Sequence, residues 1–104
     1  GLQYKVLKEG SGSKPTTSNE VEVHYEGKLI NGNIFDSSYP RGETVSFPLT
    51  RVIKGWTEGL QLMSLGSTYE LYIPYDLAYG TNGSPPKIPP YSALVFKVEL
   101  IAIK

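Results

Sequence analysis

The chain reads as an α+β domain in which an antiparallel sheet carries one short helix on its apolar face, and three observations lead there. Apolar and polar residues alternate at a period of two over four separate stretches, as half-buried strands require. Only Trp56, Leu60 and Met63 stand at the helical spacing of i, i+4 and i+7. The 104 residues suffice for one hydrophobic core and leave no room for a second, so residues 1–104 are read as one domain.

Taken in order, Leu2, Tyr4 and Val6 alternate with polar neighbours and open the sheet. Glu9 to Asn19 is rich in Gly, Ser, Thr and Pro and reads as a loop. Val21, Val23 and Tyr25 then share one parity while Glu20, Glu22, His24 and Glu26 share the other, which places His24 on the solvent side. Asn31-Gly32-Asn33 is a turn signal, and Ile34-Phe35 begins the return strand. Asp36 to Gly42 holds too many turn formers for regular structure. Thr44 to Leu49 forms a further strand, at an edge or a bulge because Pro48 cannot donate to a ladder.

The helix follows, bearing Trp56, Leu60 and Met63 and weakened by Gly55 and Gly59, so it must be held by packing against the sheet. Tyr69, Leu71 and Ile73 alternate as the next strand, closed by Pro74. Tyr75 to Tyr91 is a long irregular stretch, and a loop of that length in a compact domain is usually functional. Ser92 to Lys104 is the last strand, with Phe96, Val98 and Leu100 facing one way.

Composition narrows the chemistry. Ten basic and ten acidic residues give no net charge, so neither nucleic acid nor an anionic membrane is an expected partner. Cysteine is absent and His24 is the only imidazole, which argues against a metal site or a His-based triad; no cofactor is expected. No apolar run approaches the roughly 18 residues that span a bilayer. A start at Gly1 rather than Met suggests an excised portion of a longer protein.

Short motifs fail on context. Thr17-Ser18-Asn19-Glu20 matches a capping box but precedes a strand. Gly10 and Gly12 lack the third glycine and the helix of a phosphate loop. Asn82-Gly83-Ser84 fits a glycosylation acceptor and stays unassigned. Asp36-Ser37-Ser38 has no base to activate a serine.

What remains is a set of aromatic residues, Tyr25, Phe35, Phe47, Trp56, Tyr79 and Phe96, drawn from separate elements. By composition alone they read as an ordinary core. However, Val23-His24-Tyr25-Glu26-Gly27, Phe35-Asp36-Ser37-Ser38, Val52-Ile53-Lys54-Gly55-Trp56, Ala78-Tyr79-Gly80, Ile88-Pro89-Pro90 and Leu94 to Leu100 resemble, in order and over nearly the whole chain, the FKBP-type peptidyl-prolyl cis/trans isomerases. The pattern is most similar to bacterial Mip and FkpA C-terminal domains, being shorter between Phe47 and Trp56 than in small eukaryotic members.

The resemblance implies a strongly twisted sheet wrapped on the helix, and a pocket between them that isomerises X-Pro bonds and assists protein folding. Trp56 would be its floor, and Tyr25, Phe35 and Phe96 its walls. Asp36 would stand at the edge near the twisting amide, paired with Arg41 or the Tyr25 hydroxyl. Tyr79 would offer its hydroxyl to a carbonyl. Arg41, Phe47, Val52, Ile53 and Ile88 would contact substrate, the Ile53 backbone amide taking a second carbonyl and Ile88 lying in an overhanging loop.

Proline-containing polypeptides are the implied substrates, and macrolides of the FK506 and rapamycin type the implied inhibitors. Val45, Ser84 and Lys87 depart from the small members and bear on ligand preference. The domain itself would be monomeric, its parent dimeric through an absent N-terminal region, with a periplasmic or cell-surface location favoured over a cytoplasmic one. Two other readings differ in what they require. A non-catalytic binding or chaperone module would grip proline segments without turnover, and an all-β reader of polyproline helices would lack a helix starting at Trp56.

Overall fold

The computed structural model describes residues 1–104. Six strands and one helix follow in the order β1 (Gln3–Lys8), β2 (Glu20–Leu29), β3 (Ile34–Ser37), β4 (Val45–Pro48), α1 (Lys54–Leu60), β5 (Thr68–Ile73) and β6 (Leu94–Ile103). Short 3-10 turns occupy Leu49–Arg51 and Tyr75–Leu77. All pairings are antiparallel, in the spatial order β1-β5-β6-β2-β3. The expected α+β arrangement, one antiparallel sheet with one short helix, is what the chain forms.

The strand β2 is the hub. One of its edges pairs with β6 from Val21 to Leu29; the other is shared by β4 over Glu20–Val23 and by β3 over Glu26–Lys28. Between these two partners Ser38, fully buried, fills the gap: its amide donates to the Tyr25 carbonyl at 2.9 Å, and its Oγ accepts from the Tyr25 amide at 2.7 Å. Buried backbone groups on β2 thus stay satisfied where neither strand reaches. Alternation along β2 buries Val21, Val23, Tyr25 and Gly27 on the helix side, as the parity predicts.

The helix lies directly on β5 because it carries glycines there. A Cβ at Gly55 would come within 2.5 Å of Ile73 Cγ2, and one at Gly59 within 2.8 Å of Leu71 Cδ1. The glycines that weaken α1 intrinsically are therefore the ones that allow its close approach. Leu49, Leu60, Met63, Leu71, Ile73, Leu94, Val98 and Leu100 complete the core beneath.

Three expectations need correction. Met63 is fully buried but lies beyond α1, in a turn where its amide donates to the Leu60 carbonyl at 3.1 Å, because the helix stops after seven residues. Asp36 and Ser37 belong to β3 rather than to irregular structure, since β2 offers them a ladder. The strand β1, by contrast, forms where its alternation predicts, as a sheet edge: its residues are exposed, Leu2 packs on the core just before it, and Tyr4 stacks on the buried Tyr69 at 5.3 Å. His24 is half-covered, not free in solvent: its ring stacks on Tyr39 at 4.9 Å, and Nδ1 lies 2.9 Å from Ser38 Oγ.

Candidate active site

Between α1 and the sheet lies a cavity of about 440 Å³ with a predominantly apolar lining. Trp56 forms its floor, 4% exposed, and three rings meet the indole at nearly right angles: Phe96 at 5.2 Å, Tyr25 at 5.4 Å and Phe47 at 5.5 Å between centroids. Phe35 closes the wall by standing edge-on to Phe96 at 5.5 Å. Such edge-to-face contacts set positive ring edges against negative faces, so each ring fixes its neighbour's orientation. Indole Nε1 is buried without a hydrogen-bond partner.

Local backbone irregularity explains how two adjacent residues reach one cavity. Gly27 pairs with Asp36 and Lys28 with Ile34, leaving Phe35 as the extra residue of a β-bulge. In a regular strand Phe35 and Asp36 would point to opposite faces; the bulge turns both toward the pocket, where both line the wall. Gly27 makes room for the outcome: a Cβ there would lie 2.6 Å from Phe96 Cε1 and 2.7 Å from Phe35 Cζ.

On the opposite rim stand Val52 and Ile53, in the corner between the 3-10 turn and α1. Thr57 pins that corner by donating its hydroxyl to the Leu49 carbonyl at 2.7 Å, while the Ile53 carbonyl accepts from the amides of Trp56 and Thr57. The Ile53 amide has no acceptor within the chain. Tyr79, on the loop after β5, lines the cavity with its hydroxyl equally unengaged. Burial and the nearby Asp36 carboxylate push that phenol's pKa up, so it remains a donor.

One polar edge interrupts the rings. Tyr25 Oη donates to Asp36 Oδ2 at 2.5 Å, and Arg41 Nη1 reaches Asp36 Oδ1 at 3.2 Å, with Nη2 3.5 Å from Tyr25 Oη. Burial works against ionising Asp36, but the Tyr25 hydroxyl and the Arg41 guanidinium outweigh it, so the carboxyl sits below its ordinary value. Burial raises Tyr25, as does the carboxylate that accepts its proton bond. Asp36 is thus a fixed carboxylate and Tyr25 a fixed donor at neutral pH.

The structure therefore brings Tyr25, Phe35, Asp36, Phe47, Val52, Ile53, Trp56, Tyr79 and Phe96 to a single cavity. Two of the expected site residues are placed differently. Arg41 stands behind Asp36 and outside the lining, exposed and acting on the carboxylate rather than on the cavity. Ile88 is 4% exposed and packs in the core; it borders an adjoining hollow, because the loop folds its side chain inward. The sequence reading missed Arg51, which lines the pocket beside Val52, and Gly27 and Ser38. Gly27 carried a signal, a glycine inside an alternating strand, which marks a bulge or a close approach.

A family model described as FKBP-type peptidyl-prolyl cis-trans isomerase matches residues 11–101. Over its whole length the chain is 57% identical to the peptidyl-prolyl cis-trans isomerase Mip of Coxiella burnetii, of which it covers 45%. Over 99% of its length it is 53% identical to the FKBP-type 22 kDa peptidyl-prolyl cis-trans isomerase of Escherichia coli, covering 50% of that protein. The Outer membrane protein MIP of Legionella longbeachae is 48% identical over the whole chain, with 45% covered. Among solved structures, that of FkpA from Escherichia coli superposes with a TM-score of 0.95 at 52% identity, over all of this chain and 48% of the other. The chain spans about half the length of these curated relatives.

Proposed function

Because the chain belongs to the FKBP-type peptidyl-prolyl cis-trans isomerases, and is of the Mip and FkpA type, we propose that its aromatic cavity catalyses rotation about X-Pro bonds in polypeptides. The observation that carries this is a cavity walled by five aromatic rings and rimmed by two unengaged donors, the Ile53 amide and the Tyr79 hydroxyl. Its volume falls within the range of about 300–1,000 Å³ usual for small-ligand sites.

Rotation about a peptide bond meets a barrier of about 18–20 kcal/mol because it breaks amide resonance. The planar amide is the more dipolar and the better hydrated, so a dry ring-lined site disfavours it relative to the twisted form. Trp56, Phe35, Phe96 and Tyr25 enclose the proline ring, and Phe47 and Val52 narrow the entrance. The Ile53 amide and the Tyr79 hydroxyl hold flanking carbonyls, so the bond turns while its neighbours stay fixed. Asp36, anchored by Tyr25 and Arg41, stands beside the bond and with Tyr25 sets the polarity of the pocket edge. A thousandfold acceleration needs only about 4 kcal/mol of preference for the twisted state. Proline is the substrate because its tertiary amide keeps cis and trans within about 0.5–1 kcal/mol.

The same cavity takes macrolides of the FK506 and rapamycin type. The full-length protein acts at the periplasm or cell surface, in keeping with a relative named as an outer membrane protein. A protease-free assay of proline-limited refolding, with and without such a macrolide, tests the reading. Phe35→Ala should lower kcat/KM by about tenfold or more, the scale of losing ~1.5–3 kcal/mol of apolar enclosure, and Asp36→Asn should lower it by removing the charge at the pocket edge, with circular dichroism unchanged in both. Parental activity in both folded variants would remove them from the machinery. Macrolide binding without acceleration would leave a binding module instead.

A further inference from the structure

Past Asp36 and Tyr79 the pocket opens into a second hollow of about 400 Å³, bounded by Ser84, Pro85, Pro86, Lys87 and Ile88. Phe35, Asp36 and Tyr79 line both cavities. Charge is unevenly distributed here, although the chain as a whole is neutral. The one carboxylate in either lining, Asp36, is already paired with Arg41, whereas Arg51 and Lys87 make no ion pair. Lys87 is exposed, and its ammonium donates to the Phe35 carbonyl at 3.3 Å. An ammonium has three donors, so two remain.

We infer that Lys87 makes this hollow a carboxylate-selecting subsite, favouring substrates with an acidic side chain on the residue that precedes the proline. The inference rests on the isomerase reading. With the proline ring among Trp56, Phe35 and Phe96, the X-Pro amide lies at the edge formed by Asp36 and Tyr79. The residue on the far side of that amide then enters the adjoining hollow, whose free charge is the Lys87 ammonium. Because Asp36 is held by Arg41 and the Tyr25 hydroxyl, its repulsion of an incoming carboxylate is already offset.

The test compares kcat/KM on peptides that differ only in Glu or Gln before proline, a pair matched in shape. The parent should prefer Glu about two- to fivefold at low ionic strength, the scale of an exposed ion pair. The preference should vanish near 1 M salt, where the screening length is about 3 Å. Lys87→Met, which keeps the apolar stem, should abolish it, and Lys87→Glu should reverse it. Equal rates on the two peptides in the parent, or a preference that persists in Lys87→Met, would overturn the inference while turnover of the Gln peptide left the isomerase reading standing. Loss of turnover on both peptides in the parent would overturn the two together.

Discussion

Asp36 holds its charge through two neighbours, and that has a definite sign in pH. Its carboxyl lies below the ordinary 3.8, so the stabilisation it gains from Tyr25 and Arg41 is fully present above that value and is lost as pH falls through the lower folded one. The side chain is 45% exposed, so solvent screening holds the effect under about 1 kcal/mol. Urea unfolding of the parent and Asp36→Asn should differ by a constant amount above about pH 5 and converge in strong acid. A gap that widened on acidification would contradict the geometry. Tyr25 was legible from sequence because strand parity alone aims it inward. Phe35 and Asp36 were not legible together on that basis, since alternation puts neighbours on opposite faces; only the bulge against Gly27 reconciles them, and a glycine in a strand hints at a bulge without saying which partner residue becomes the extra one. Ser38 was hidden for a similar reason: a serine in a turn-rich stretch gives no sign that it will replace a missing strand partner.

At the scale of elements, α1 sets propensity against packing. Alanine at Gly59 would gain about 1 kcal/mol of helix propensity. It would also force Leu71, fully buried on β5, away from a 2.8 Å contact, and overpacking of this kind costs about 1–3 kcal/mol. Gly59→Ala should therefore be the less stable protein by about 1 kcal/mol in urea unfolding, against a gain of similar size if propensity ruled. The helix was legible from Trp56 and Leu60, but its length was not: Met63 keeps the spacing while standing in a turn, because burial against a common core imposes the periodicity whether or not the backbone is helical. The strand β1 was legible from its alternation, although as a sheet edge it covers little, Tyr4 stacking on Tyr69 while the rest of the strand stays exposed.

Across the whole molecule, β2 and β6 form the longest ladder and bring together residues from opposite ends of the chain. Amides in this ladder should be the slowest to exchange with solvent, and those of the loop from Tyr75 to Tyr91 among the fastest, as hydrogen-exchange mass spectrometry or NMR would resolve. Comparable protection in both regions would show that the ladder is not the most stable unit. The fold class was readable because each strand declared its own period; the strand order was not, since local alternation cannot say that β6 inserts between β5 and β2. That insertion bears on timing. Phe96 reaches the indole only when β6 takes its place, and all eight prolines of the chain precede that strand. A nascent chain leaving the ribosome amino end first would possess all eight of these prolines before it possessed a working cavity, so on the isomerase reading it would depend on spontaneous rotation, or on finished copies, to set them.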